Sequence, residues 1–157
     1  MAPMYDLTMP TGPVKTALIG AGARAQNLYS PLFRSLQPWM EITAVCDPVR
    51  DRAEVVAQQL DIPAFFDIHQ LVQARPMEAA LVVTPPMSHY PLGLYLSSQG
   101  IHTLLETPWC NLLAQARELI KTARANHVVA RVAENHFRFP LDRIVKKLKA
   151  SEFIGPI

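Results

Sequence analysis

Val14-Lys15-Thr16-Ala17-Leu18-Ile19-Gly20-Ala21-Gly22-Ala23-Arg24-Ala25 is the stretch that decides the fold. Val14 to Ile19 is apolar except at Lys15 and Thr16, short, and reads as a buried strand. Two of the chain's 6 glycines follow at once, and a helical pattern begins just beyond them. A loop that leads from a strand into a helix leaves backbone N–H groups facing outward, and the helix dipole favours a phosphate there. Gly20 permits the tight turn, and Gly22 lets a pyrophosphate approach the backbone. Ala25 stands where only close helix–strand packing is required, so a third glycine is dispensable. An ordinary glycine turn is the plain alternative.

Working outward, apolar runs recur at Ile42–Cys46, Ala79–Val83, Ile101–Leu105 and Val128–Val132, with a weaker one at Ala64–Phe66. They are rich in β-branched residues and read as strands buried on both faces, the pattern of a parallel sheet. Helical spacing lies between them. Val49 to Leu60 puts Val49, Ala53, Val56 and Leu60 on one face. Asp67 opens a short helix to Gln73. Met87 to Gln99 is stopped by Gly100. Asn111 opens a helix to Asn126 that carries Leu112, Ala116, Leu119 and Ala123. Gln26 to Gln37 is interrupted by Pro31, which predicts a short helix followed by a second one. Pro140 to Ala150 is a last helix with Lys146, Lys147 and Lys149 toward solvent. Strict alternation of strand and helix with right-handed crossovers predicts an α/β, doubly wound, mainly parallel sheet of six strands, ordered 3-2-1-4-5-6.

The chain has 157 residues, half of them hydrophobic, which suits one domain with a real core and excludes intrinsic disorder. Residues 1–13 read as an extended arm with no signal-peptide core, and residues 14–157 as the domain. Ile154 to Ile157 reads as the start of one more strand. No apolar run approaches the roughly 18 residues of a membrane span. A net charge of +2 gives no reason to expect nucleic acid. Cys46 and Cys110 lack metal-ligand spacing and fit a reducing, cytoplasmic setting. No metal site is expected.

Candidate site residues fall at strand ends, where open α/β sheets bind ligands. Asp47 ends the second strand, 22 positions after Ala25, close to the separation expected of an acid that hydrogen-bonds an adenosine ribose. It is also placed to cap the next helix. Thr84-Pro85-Pro86 with His89, Glu106-Thr107-Pro108, and Glu134-Asn135 with Arg138 follow the fourth, fifth and sixth strands. His102, inside a strand, reads as a satisfied core histidine, and His69 and His127 as surface or cap positions.

Taken together, in order and each at a strand end, these five segments resemble the glucose–fructose oxidoreductase / inositol dehydrogenase / MocA family of nicotinamide-dependent oxidoreductases. The resemblance runs from Val14 to Ile157 and implies a Rossmann-type dinucleotide-binding domain. It implies that Gly20, Gly22, Ala23 and Arg24 cradle the pyrophosphate and that Asp47 holds the adenosine ribose. Thr84, Pro85 and His89 would line the cofactor cleft. Glu106 would sit near the nicotinamide ribose and Asn135 near the nicotinamide. The family's Glu-Lys-Pro motif is Glu106-Thr107-Pro108 here, so no catalytic residue is assigned, and the family's tendency to a cis bond before this proline carries over to Thr107–Pro108. The family's substrate domain is expected to be missing, so that turnover needs that domain or a partner chain. A non-catalytic dinucleotide-binding or regulatory protein is the alternative, and an S-adenosylmethionine user on the same fold a third. NAD is favoured over NADP by Asp47, although Arg24 or Arg50 could turn toward a 2′-phosphate.

Overall fold

The computed structural model describes residues 11–135 and 139–151. The arm expected over residues 1–13 therefore lies outside the described residues except for its last three, as do His136, Phe137, Arg138 and the strand expected from Ile154. The strands are β1 (Val14–Ile19), β2 (Met40–Cys46), β3 (Ala64–Phe65), β4 (Ala79–Val82), β5 (His102–Leu105) and β6 (Ala130–Val132). The α-helices are α1 (Ser30–Leu36), α2 (Arg50–Leu60), α3 (Ile68–Ala74), α4 (Pro86–Ser98), α5 (Leu113–Ala125) and α6 (Pro140–Ala150). All strand pairs are parallel, and the sheet runs β3-β2-β1-β4-β5-β6, the order read from the sequence.

Because strand side chains alternate between faces, the sheet builds two cores. Leu18, Val45 and Leu81 meet Ala25, Phe33, Val56 and Ala57 on the face that carries α1 and α2. Ala17, Ile19, Ala44, Cys46, Ala80 and Val82 meet Leu71, Leu96 and Leu119 of α3, α4 and α5 on the other. Burial on both faces, expected of every strand, fails at the outer edge. Leu104 in β5 and its β6 neighbour Arg131 are exposed, since the helices of the first face pack over β1, β2 and β4.

One helix start follows expectation and one does not. Around Pro31 a short helix is followed by a second one, as expected. A π turn over Ala25–Tyr29 runs directly into α1, with the N–H of Ser30 reaching the carbonyl of Ala25. The wider turn places Pro31 in the first turn of α1, where its missing N–H costs nothing. Asn111 does not open α5. Gln115 Oε1 instead accepts the N–H groups of Asn111 and Leu112 at 3.1 and 3.2 Å, and Leu112 is exposed rather than core. Lys146, Lys147 and Lys149 on α6 are exposed as expected. No helix among the described residues is long and apolar enough to cross a membrane.

Candidate functional site

The carboxyl ends of β1, β2, β3 and β4 surround a cavity of about 870 Å³. Seven of the residues picked out by sequence line it: Gly20, Gly22, Ala23, Arg24, Asp47, Thr84 and Pro85. The two glycines serve different ends. Gly20 has φ +93°, and a Cβ there would lie 2.4 Å from the carbonyl oxygen of Val83. The protein itself demands glycine at that position. At Gly22 a Cβ would meet nothing within 4 Å. That open space on the cavity wall is room for a ligand pressed against the backbone. Ala23 and Arg24 open the helix, so their N–H groups have no intrahelical acceptor.

Asp47 is only 6% exposed and does two things at once. Its Oδ1 accepts the N–H of Val49 at 2.8 Å, in the turn before α2; the N-cap of α2 is Val49 itself, with no side-chain cap, so Asp47 is not the cap read from the sequence. Its Oδ2 accepts the N–H of Ala21 at 2.8 Å, which ties the glycine loop to the end of β2. A carboxylate has about four acceptor positions, so two remain for a ligand. Burial foremost, with Asp67 and Asp47 nearby, pushes the neighbouring Cys46 thiol up to about 12.

His89 and Glu106 are not among the residues lining this cavity. The His89 ring is 1% exposed and lies between two carbonyls, with Nδ1 2.7 Å from Pro108 O and Nε2 2.7 Å from Thr84 O. It ties the loop after β4 to the loop after β5. In the latter loop the Thr107–Pro108 bond is cis, as expected. Glu106 is 3% exposed. Its Oε1 accepts from Arg24 Nε at 2.7 Å and from the Tyr29 hydroxyl at 2.5 Å. Its Oε2 accepts the N–H of Thr107 at 2.8 Å and lies 3.4 Å from the Thr107 hydroxyl. Burial pushes the carboxyl up, but the hydrogen bonds from Tyr29, Arg24 and Thr107 outweigh it and hold it below the usual carboxylate range. The bond to Glu106 raises Arg24 further. Asn135 is exposed beyond β6 and is not among the cavity residues.

Several cavity residues were not singled out from sequence as ligand-facing. Phe66, Ile68, Leu92 and Tyr95 make an apolar wall, with Arg52 and His69 beside it. His69 is exposed in the first turn of α3, where Asp67 caps its N–H, but its Nδ1 also reaches the Tyr95 hydroxyl at 2.9 Å. For Phe66, Ile68 and His69 the signal was the carboxyl end of β3, a strand of two residues that carries little pattern of its own. Arg50 holds its guanidinium 3.8 Å over the Phe66 ring and pairs with Glu54 at 3.3 Å. Elsewhere His102 Nδ1 accepts the N–H of Val129 at 2.9 Å, the satisfied strand histidine expected. Among the described residues no three His, Cys, Asp or Glu side chains group as metal ligands.

Comparison with known proteins gives the same picture. The chain is 30% identical over 136 residues to a D-glucoside 3-dehydrogenase of Escherichia coli, a match covering 85% of this chain and 38% of that protein. It is 27% identical over 108 residues to a scyllo-inositol 2-dehydrogenase (NADP+) of Bacillus subtilis, covering 68% of this chain and 33% of the relative. The WlbA dehydrogenase of Bordetella pertussis, solved with NADH and UDP-GlcNAcA, shares the fold at TM-score 0.85 and 17% identity over 96% of this chain and 43% of its own. The chain thus spans about two fifths or less of the length of these proteins. The sequence model described as "Oxidoreductase family, NAD-binding Rossmann fold" matches residues 14–134. With its strand order, glycine loop and match over most of its length, the chain belongs to the GFO/IDH/MocA oxidoreductase family and comprises that family's NAD-binding Rossmann domain.

Proposed function

We propose that this chain holds NAD across the glycine loop and Asp47, and that these 157 residues bind the dinucleotide without turning over a substrate. The observation that carries the reading is the open space over Gly22, on a cavity that also receives Gly20, Asp47, Thr84 and Pro85. Bound nicotinamide supplies hydride transfer, and the protein's part is to orient a substrate against it. Thr107 stands where the family carries lysine. A threonine hydroxyl offers neither a cation nor a tunable proton at neutral pH. Turnover therefore calls for a substrate-bearing wall beyond these residues, in further chain or a partner. Thr107 equally favours a second reading, a dinucleotide-binding regulatory protein.

NAD is preferred to NADP because Asp47 keeps two acceptor positions for ribose hydroxyls and would repel a 2′-phosphate. Two unit charges ~4 Å apart repel by about 4 kcal/mol at an effective dielectric near 20, reduced by solvent and salt at the cavity mouth. Arg50 is engaged by Phe66 and Glu54, while Arg24 and Arg52 line the cavity. Two free thiols fit a reducing, cytoplasmic compartment. The test is NADH binding by the purified chain, beside an assay for oxidation of sugars and polyols. Saturable binding without oxidation supports the reading, and cofactor-dependent oxidation overturns it.

A further inference from the structure

We propose that α6 is a strap for the open half of the sheet's first face, and that it docks there with Leu141, Ile144, Val145 and Leu148 seated over Leu104. The occupant of that surface is this chain's own helix. The proposal stands apart from the dinucleotide reading.

Helices cover the sheet unevenly. Those of the second face, α3, α4 and α5, pack along its length, whereas α1 and α2 cover one half of the first face. Leu104 of β5 is the register neighbour of Leu81, which is buried under α1 and α2, so both side chains point to the first face. Leu81 is 2% exposed and Leu104 is 39% exposed. Coverage therefore stops between β4 and β5. The wall at that boundary is one flank of the first helix. Gln26, Ser30, Arg34 and Gln37 turn the other flank toward α2 and line a cleft with Gln59 and Leu60. Leu28 and Leu32 lie on the opposite flank by helical spacing and are nearly half exposed. Tyr29, between the flanks, reaches Glu106 directly after β5, which sets the leucine flank over that strand. Leu28, Leu32 and Leu104 thus face one apolar trough.

The matching surface is on α6. Its 11 residues put Leu141, Ile144, Val145 and Leu148 on one side, with Arg143, Lys146 and Lys147 opposite, and none of its residues is buried. An isolated helix shorter than roughly 12–15 residues is marginal in water, and packing of an amphipathic face supplies most helical stability in proteins. This helix therefore needs a surface, and the trough is within its reach. β6 ends at Val132 and α6 starts at Pro140. Residues 133–139 span at most about 25 Å, and β5 lies only about 5 Å from β6. So short a tether favours the chain's own helix over that of a second copy. Handedness selects the face. The step from β1 out to β2 carries α1 on the first face, and the opposite steps from β4 to β5 to β6 carry α4 and α5 on the second. β6 is the edge strand, so a helix that follows it and returns inward lies on the first face by the same right hand. Docking leaves the basic side in water and holds the connection that carries Asn135 at the β5–β6 edge.

Hydrogen–deuterium exchange of the full chain, read by mass spectrometry on peptides from α6, tests the docking. In the wild type the α6 amides are expected to exchange at least about tenfold more slowly than an unstructured segment, and equally so across a dilution series. Leu104→Asp lies far from α6 in sequence, yet should return α6 to the unstructured rate while β1 and β4 stay protected. Ile144→Asp should do the same, and Lys147→Gln on the opposite side should change nothing. Should Leu104→Asp fail to fold, Leu32→Asp reads the other wall of the trough, with the same loss expected. Unprotected α6 amides in the wild type overturn the proposal. Protection that survives an aspartate in the trough overturns it too, because α6 would then be packed elsewhere. Protection that fades on dilution makes a second copy the occupant and is equally contrary.

Discussion

Asp47 Oδ2 takes the N–H of Ala21 at 2.8 Å, so the acid at the end of β2 holds the glycine loop at the end of β1. The same carboxylate accepts Val49 N–H in the turn before α2. Two loop contacts and the proposed ribose contact therefore meet on one side chain. Asp47→Ala is expected to lower stability by about 1–3 kcal/mol through the two lost loop hydrogen bonds. It should also erase any preference for NADH over NADPH. Urea unfolding and paired dissociation constants check both halves. A variant that keeps a clear NADH preference takes Asp47 out of the ribose role.

The two loop glycines should separate fold from ligand. Gly20→Ala forces a side chain onto φ +93° and into the Val83 carbonyl, 2.4 Å away. A loss of about 2–4 kcal/mol in unfolding free energy is expected from strain and overpacking together. Gly22→Ala meets open space, so its unfolding should stay within about 0.5 kcal/mol of wild type while NADH affinity falls. If Gly22→Ala binds NADH as wild type does, the pyrophosphate does not press on that backbone.

The strand order and the glycine loop were legible because they follow from period and spacing alone. Ile19-Gly20 after an apolar run, and Asp47 after another, fix where chain ends meet. What could not be read was how side chains distant in sequence would be spent on one another. His89 reads as a cleft residue, and no local pattern showed that two carbonyls, Thr84 O and Pro108 O, face its ring nitrogens. Glu106 reads as a ribose contact, and no local pattern showed that Arg24, 82 positions away, also bonds it. The change of helix at Pro31 was legible, but the π form of the turn before it, which leaves no pattern in hydrophobic period, was not. Phe66 and His69 were hidden behind a two-residue strand.

His89 is a fastener between the β4 and β5 loops. His89→Ala removes the ring from between two carbonyls in a buried place; a neutral imidazole donates one N–H, so the carbonyl it serves loses its donor at about 1–3 kcal/mol. A drop in the urea midpoint with an unchanged slope is the expected result. A midpoint equal to that of wild type would show that the two loops hold without it.

Stability should depend on acid through Glu106. Its folded-state pKa is lowered, so its contribution is complete above the unfolded carboxyl value near about 4.3. It is lost as pH falls from there through the lower folded value. Tyr29 runs the other way: burial first, then Glu106, raises its pKa. Its contribution is complete below about pH 10 and lost as pH climbs toward the raised value. Melting temperature against pH should fall less steeply in acid for Glu106→Gln, and less steeply in strong base for Tyr29→Phe. Parallel curves for wild type and Glu106→Gln in acid would contradict the assignment.

The central claim is that these residues form a working dinucleotide site, and nicotinamide fluorescence on titrating the chain with NADH tests it most directly. Saturable one-to-one binding is predicted, displaced by NAD+, indifferent to S-adenosylmethionine, and weakened by Gly22→Ala in a protein that melts like wild type. No saturable signal, or displacement by S-adenosylmethionine at comparable concentration, would contradict it.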